Sequence, residues 1–252
     1  KALLGKVYLT FHKWNEAKDV LSQLIGKYSL LPSIGQVFDV NNKNNAEIIF
    51  AVHFNKEIVN EGHSYWYDIT NLTDESGQAE ALVNCFTPGD TRKEMITYVK
   101  AENKAYLMTK FLDTKNVSFN QVGNDQILLR YADVLLMYAE ALNELGYDAS
   151  EGSIALKQLN ATRTRAGLTK LTAADVPTQE SFRKAILDER QKEFPYEGHR
   201  WFDLVRMGYA KSVLAIQGLN IQDYQLLFPI PQTEIEKVGD SKILWQNPGY
   251  DK

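Results

Sequence analysis

The sequence predicts a mainly α-helical protein made of tetratricopeptide-like helical hairpins, with long irregular loops and a few short strands. Apolar residues recur at helical spacing in residues 1–35 and 128–215, which we expect to form the helical scaffold. Residues 36–127 are rich in turn-forming residues and lack periodicity, so we expect loops that carry a ligand. Prolines in residues 216–252 exclude long helices and predict an extended tail of the same single domain, 1–252.

The opening segment has the spacing of a tetratricopeptide hairpin, in which small residues allow two antiparallel helices to approach each other. The residues at the matching positions are Leu4, Gly5, Tyr8, Ala17 and Leu21. Residues 14–16 are expected to form the turn between the two helices. A plain helical hairpin explains this stretch equally well, because the repeat pattern is degenerate.

A strand is predicted at residues 47–54. There the polar stretch NNKNN is followed by the short apolar run IIFAVHF, which is rich in β-branched and aromatic residues. Periodicity is then lost until residue 126, so this is the one strand that the loop region indicates clearly.

A long helix is predicted where LLRYADVLLMYAEALNELG restores helical periodicity. One buried stripe is expected to consist of Val134, Tyr138, Ala141 and Leu145. The polar residues expected to flank that stripe are Arg130, Asp133, Glu140 and Glu144. Gly146 is expected to end the helix.

Three further helices are predicted after Gly146. The next helix, in GSIALKQLNATRTRAGL, turns Leu156 and Leu159 inward and ends before Gly167. Thr178 caps a third helix, and the residues expected on its inner face are Phe182 and Ile186. That helix is expected to stop near Pro195, and a fourth begins beyond Gly198. In the tail, Thr233 and Glu236 have the spacing of a capping box.

Composition excludes several classes of function. The 252 residues include 28 basic and 32 acidic residues, a balance that argues against a nucleic-acid partner. The single cysteine excludes an intrachain disulfide. No apolar run approaches the roughly 20 residues that cross a bilayer.

The segment ERQKEFPYEGHRWFDLVRMG, residues 189–208, has two interpretations. As an active site it offers a histidine, His199, spaced to share a metal with Asp203. Its candidate acids are Glu189, Glu193 and Glu197. As a structural corner it holds an interhelical ion-pair network around Pro195 and Gly198. The acids of that network are Glu189 and Glu193, and its expected cations are Arg183, Arg190, Arg200 and Arg206. The corner is favoured, because a zinc site needs a third ligand of the right type. We therefore expect no catalytic residue, metal ion or cofactor.

A candidate ligand site lies in HSYWYDITN, the densest cluster of aromatic and polar residues. Pyranose rings present an apolar C–H face that stacks on flat aromatic side chains, while their hydroxyl groups bind polar side chains. The candidate residues are His63, Tyr65, Trp66, Tyr67, Asp68 and Asn71. Side chains alternate along an extended chain, so at most two of the three central aromatic residues line one surface. Burial of these rings under the loops as a small core is the other interpretation.

Five motifs resemble the carboxy-terminal part of the SusD/RagB family, in the same order. They are RYADVLLMYAEALNELG, LNATRTRAGL, ILDERQKEFPYEGHRWFDLVRMG, LFPIPQTEI and QNPGY. The resemblance is strongest over residues 128–250, and the opening hairpin fits the same family. It implies that the chain is the carboxy-terminal portion of a longer lipoprotein, whose lipidated cysteine lies outside this sequence.

The resemblance implies a binding protein with no catalytic activity and no cofactor. Members of the family bind an oligosaccharide or polysaccharide at the outer membrane, on the cell surface, and deliver it to a TonB-dependent, SusC-like transporter. A minority, similar to RagB, bind peptide instead. A tetratricopeptide-type adaptor that binds another protein is a further alternative.

Overall fold

The computed structural model describes residues 1–59, 61–63, 78–96, 98–100, 105–107, 110–111, 113, 122–148 and 150–250. The mainly α-helical class with short strands is confirmed. The chain divides into two compact units, residues 1–197 and 198–252. The expected single domain over 1–252 stays a prediction.

The first unit contains most of the helices. They are α1 (Ala2–Thr10), α2 (Trp14–Ser22), α3 (Ile34–Val37), α4 (Gln78–Asn84), α5 (Arg92–Ile96), α6 (Tyr131–Leu145), α7 (Ile154–Arg165) and α8 (Gln179–Glu193). Its strands are β1 (Ile48–Val52), β2 (Tyr98–Lys100), β3 (Ala105–Leu107) and β4 (Gln126–Arg130). The strand predicted at residues 47–54 is therefore confirmed. β1 pairs with β4 and β2 pairs with β3, both antiparallel.

The hairpin of α1 and α2 forms because a glycine lies where the helices meet. A Cβ atom added to Gly5 would lie 2.5 Å from Cδ2 of Leu21, so a larger residue would push the helices apart. The turn predicted at residues 14–16 is wrong, since α2 begins at Trp14. His12 has a φ of 56°, which reverses the chain one residue before the N-cap position of α2, Lys13.

The long helix α6 lies between two apolar clusters. Val134 and Ala141 pack with α1 and α2, whereas Ala132, Leu136 and Ala139 pack with α7 and α8. The prediction of a single buried stripe was therefore too narrow, because α6 is buried on two sides. Because the helix is covered on two sides, three of the residues expected to flank the stripe are buried, namely Arg130, Asp133 and Glu140. Leu145 was predicted to be buried and is 39% exposed at the helix end.

The helices that follow α6 begin and end where local sequence signals place them. In α7, Leu156 and Leu159 are buried, as predicted. Gly167 beyond it has a φ of +79°, and an added Cβ would lie 3.2 Å from the carbonyl oxygen of Gly89. Thr178 accepts a hydrogen bond from the backbone N–H of Ser181 and caps α8, which ends at Glu193.

The second unit is made of short helices and irregular chain. Its elements are α9 (Arg200–Arg206), α10 (Ala210–Ile216), a 3-10 helix (Asp223–Leu226) and α11 (Gln232–Val238). The capping box predicted for Thr233 is wrong, because Pro231 stands at the N-cap and Thr233 lies inside α11. The side chain of Gln246 bonds both the N–H and the carbonyl oxygen of Ile230, which ties the tail to the chain before α11.

Candidate functional site

The structure describes one residue of the candidate ligand site, His63. Its backbone forms an antiparallel bridge with Val122, and its Nε2 lies 2.8 Å from the carbonyl oxygen of Asn124. The imidazole ring meets the ring of Phe54 edge to face, at 4.4 Å between centroids. The other predicted ligand residues lie outside the described residues; they are Tyr65, Trp66, Tyr67, Asp68 and Asn71.

Asp125 organises the chain next to His63. Its buried carboxylate accepts hydrogen bonds from Nζ of Lys43 at 2.6 Å and from the backbone N–H of Phe54 at 3.1 Å. Nδ1 of His53 lies 2.7 Å from the second carboxylate oxygen. Burial by itself raises the pKa of Asp125, but the hydrogen bonds from Lys43 and His53 outweigh burial and lower that pKa. Asp125 is therefore held as an anion at the end of β1.

A second buried acid, Asp113, also connects the chain after β1 to the chain before β4. Nζ of Lys56 lies 2.8 and 2.7 Å from the two carboxylate oxygens of Asp113, which also accepts a bond from the backbone N–H of Gly123. Together these contacts hold residues 53–56 and His63 against residues 122–125. Sequence reasoning missed both acids, because a turn motif such as GND does not reveal a lysine partner more than fifty residues away.

Glu193 is the centre of the charged corner and is fully buried. One of its carboxylate oxygens accepts a hydrogen bond from Arg130 at 2.6 Å and another from Arg165. The other oxygen accepts a bond from Arg92 at 3.0 Å. Burial by itself raises the pKa of Glu193, but these three guanidinium groups hold the pKa well below its usual range.

Arg130 links Glu193 to two further acids. It donates two hydrogen bonds to Glu197, at 2.7 and 2.8 Å, and one to Glu47 at 2.9 Å. Its Cζ atom lies 4.5 Å from the centroid of the Phe194 ring, an additional favourable contact for a buried cation. Arg130 therefore joins β4 and the start of α6 to the end of α8.

Lys110 adds a buried lysine to this cluster. Its ammonium group binds Glu197 and lies 3.3 Å from the carbonyl oxygens of both Glu193 and Pro195. Burial lowers the pKa of Lys110 to about 8, although Glu197 opposes that shift. The lysine connects the loop region to the corner that follows α8.

Glu189 lies one turn before Glu193 and is equally inaccessible. Its Oε1 accepts a bond from Arg92 at 2.7 Å and another from the hydroxyl group of Thr162 at 2.7 Å. Arg92 in turn donates to Asp90 at 2.8 and 2.9 Å. Because Glu189 and Glu193 are buried and bonded to cations, neither is placed to exchange a proton with a substrate.

An ion-pair network does surround Glu189 and Glu193, but its described pairs join α8 to α5, β4 and α7. The expected closure of α8 onto the next helix stays a prediction. Arg92, Arg130 and Arg165 come from α5, β4 and α7, whereas the predicted cations lie in α8 and α9. The predicted cations have these acidic partners: Arg183 binds Glu144 and Glu180, Arg190 binds Asp133, and Arg206 binds Asp203. Tertiary packing decides these pairs, which sequence distance does not reveal.

The part of the chain that the structure describes contains neither a metal-binding cluster nor a helix that could span a membrane. Within that part, no group of three or more His, Cys, Asp or Glu side chains is placed to hold a metal ion. Asp203, the proposed partner of His199, accepts a bond from Arg206 at 2.9 Å. No helix among these residues has the length and hydropathy of a membrane span.

Comparison with known proteins gives consistent matches. The model of the SusD family matches residues 93–250. A SusD-like protein of Formosa agariphila is 27% identical over 302 aligned residues, which cover 99% of this chain and 58% of that protein. The chain therefore spans a little over half the length of this curated relative.

Solved structures agree with the family match. Surface glycan-binding protein A from Bacteroides fluxus superposes with a TM-score of 0.77 and 26% identity, covering 98% of this chain and 61% of that one. A laminarin binding SusD-like protein superposes with a TM-score of 0.74 and 26% identity, covering 99% of this chain and 61% of that one.

Proposed function

The chain belongs to the SusD family, and from this premise we propose that it is part of a cell-surface protein that binds a glycan. The observation that carries the proposal is the similarity to a surface glycan-binding protein over 98% of the chain, at a TM-score of 0.77. The laminarin binding SusD-like protein, which superposes almost as well at a TM-score of 0.74, supports the same class of ligand. Since the chain spans about 60% of these structures, the proposal concerns the longer protein.

The proposed contact residues are those of the candidate segment. Trp66 and one neighbouring tyrosine stack against a sugar ring, while polar side chains bind its hydroxyl groups. The polar residues are His63, Asp68 and Asn71. The described contacts of His63 and Asp125 support this proposal, because they hold the chain at the base of the segment in one conformation. A fixed base lowers the entropy that the segment loses on binding.

The proposed biological role is capture followed by transfer. The protein binds an oligosaccharide or polysaccharide at the outer membrane, where a lipid outside this chain anchors it. It then passes the glycan to a TonB-dependent, SusC-like transporter. Membership of the SusD family supports this role.

We propose that the protein does not catalyse glycan cleavage. Glycosidases use two carboxyl groups that face the substrate across a cleft. Of the candidate acids, Glu189 and Glu193 are buried with oxygens bonded to arginine, and Glu197 is paired with Arg130 and Lys110.

Glycan titration of the full-length protein tests the proposal. An array of soluble glycans that includes laminarin is screened first, and each hit is titrated by calorimetry. Trp66→Ala is expected to weaken binding about tenfold or more, because loss of one stacking ring removes about 1.4 kcal/mol or more. Trp245→Ala is the matched control, because Trp245 is 61% exposed and lies in the second unit.

Each outcome has a defined meaning. Loss of binding in Trp66→Ala but not in Trp245→Ala supports both the ligand class and the segment. Equal binding by both variants rejects the segment and keeps the ligand class. Absence of any glycan hit, together with binding of a peptide mixture, rejects the glycan and assigns the protein to the peptide-binding group of the family.

A further inference from the structure

An open cleft of about 880 Å³ lies beside α7, between that helix and two loops of the first unit. We call it the α7 cleft. Its apolar wall consists of Leu30, Leu31, Leu156 and Leu171, and two lysines, Lys157 and Lys170, line it as well. The volume is within the range of about 300 to 1,000 Å³ that is typical of ligand sites.

The walls of the α7 cleft are fixed by buried polar contacts. The side chain of Asn160 bonds both the N–H and the carbonyl oxygen of Leu171, each at 2.8 Å, and so holds one loop against the helix. On the other side, the N–H of Leu31 donates to buried Glu47 at 3.0 Å. Glu47 also binds Arg165. The cleft is therefore preformed and needs little rearrangement to accept a ligand.

The charges of the α7 cleft favour an anionic ligand. Lys157 and Lys170 are exposed, and neither makes an ion pair with any residue that the structure describes. Arg165 also lines the cleft, but its side chain is 4% exposed and binds Glu47 and Glu193. The acid in the lining, Glu151, accepts a hydrogen bond from the backbone N–H of Ala173. The two exposed lysines outnumber this one exposed acid in the lining, and their ammonium groups are available to a partner.

The apolar part of the lining favours a peptide over a sugar. The described residues around the cleft contribute leucine, proline and alanine but no aromatic ring. Without a flat ring, the cleft has no surface on which a pyranose face stacks. Branched aliphatic side chains pack well against leucine, and carboxylates pair with lysine.

We propose that the α7 cleft binds an acidic, leucine-containing peptide segment of a protein partner. Aliphatic side chains of the segment pack on the leucine wall, and its carboxylates pair with Lys157 and Lys170. The lining of this cleft shares no residue with the candidate glycan segment, and the inference does not depend on glycan binding.

The test uses the full-length protein and defined peptides. A short fluorescein-labelled peptide of alternating leucine and glutamate is titrated, and binding is followed by fluorescence anisotropy. The double variant Lys157→Glu and Lys170→Glu is expected to raise the Kd about tenfold or more, because two attractive charge pairs become repulsive. Replacing the leucines of the peptide by serine is expected to abolish binding, since the wall then has no partner.

A matched double variant controls for net charge. Lys13→Glu with Lys27→Glu changes the charge by the same amount at exposed sites outside the α7 cleft, and it is expected to bind the peptide as the unmodified protein does. Three results would overturn the proposal. They are equal loss in both double variants, no peptide binding by the unmodified protein, and binding of polygalacturonate instead of the peptide with the same dependence on Lys157 and Lys170.

Discussion

At the scale of single residues, Glu193 shows how a carboxylate stays ionised without water. Burial alone favours the neutral acid, but Arg92, Arg130 and Arg165 supply hydrogen bonds to both of its oxygens. Such an arrangement does not by itself add much stability, because desolvation of the charges offsets their attraction. Removing the charge of Glu193 is costly, however, because the arginine side chains then remain buried without their anion.

We expect Glu193→Gln to lower the free energy of unfolding by about 3 to 5 kcal/mol, which is typical of breaking a buried ion pair. Urea denaturation followed by circular dichroism measures the change. The control is Glu180→Gln on the same helix, whose partly exposed ion pairs with Arg183 and Lys184 are expected to contribute less than about 1 kcal/mol. Similar losses in the two variants would show that the network is not the stabilising feature.

The lowered pKa of Lys110 predicts that the stability of the protein changes with pH in the alkaline range. Its pKa is about 8 in the folded chain and about 10.4 in an unfolded one. Between these values the unfolded state binds more protons, so the contribution of Lys110 to the free energy of unfolding rises with pH, by at most about 1.4 kcal/mol per unit.

The measurement compares unfolding of the unmodified protein with that of Lys110→Met at several pH values from about 8 to about 10.4. We expect the free energy of unfolding to rise less steeply with pH in the variant, because methionine carries no titrating proton. Other titrating groups are common to both proteins and cancel in the difference. Parallel pH curves would contradict the lowered pKa of Lys110.

At the scale of elements, the hairpin of α1 and α2 depends on close approach at one position. Glycine is a poor helix former, costing about 1 kcal/mol relative to alanine. Gly5 nevertheless lies inside α1, because Leu21 of α2 occupies the space that a Cβ would need. Packing between the helices therefore outweighs the local preference for alanine.

We expect Gly5→Ala to destabilise the protein by about 1 to 3 kcal/mol, the usual cost of overpacking a core, despite its better helix propensity. Thermal and urea denaturation measure the effect. Gly152→Ala is the matched control, because an added Cβ there has only Ser150 Oγ within 4.0 Å. That change is expected to be neutral or slightly stabilising. A stabilising Gly5→Ala would show that the helices separate easily.

Helix ends were more predictable than helix surroundings. Thr178 accepts a hydrogen bond from the N–H of Ser181, and after Gly167 the N–H of Leu168 bonds the carbonyl oxygen of Arg163. Both contacts span only a few residues, so these ends of α8 and α7 follow from sequence alone. The environment of α6 did not follow, because its second covered side depends on where α7 and α8 pack. Charged residues on that side, such as Asp133, are therefore buried although the sequence placed them beside the stripe.

At the scale of the whole molecule, the two proposed ligands differ in their response to salt. The chain carries a net charge of −4, and a neutral glycan gains little from its long-range field. Glycan affinity is therefore expected to change little when salt is raised from about 0.05 to about 0.5 M. Peptide binding at the α7 cleft is expected to weaken, because exposed lysine pairs are screened. Titration of both ligands at the two salt concentrations checks this difference, and a peptide affinity insensitive to salt would contradict the role of Lys157 and Lys170.

The sequence by itself determined the helical class, the main helix ends and the family, through local signals and motif order. It also indicated the candidate ligand segment, whose role stays a prediction beyond His63. Only the tertiary structure decided which arginines neutralise Glu193, that Asp125 binds Lys43, and that Lys157 and Lys170 share one cleft. The physical reason is range: caps and periodicity act within a few residues, whereas ion pairs and clefts join segments that folding brings together from far apart in the chain.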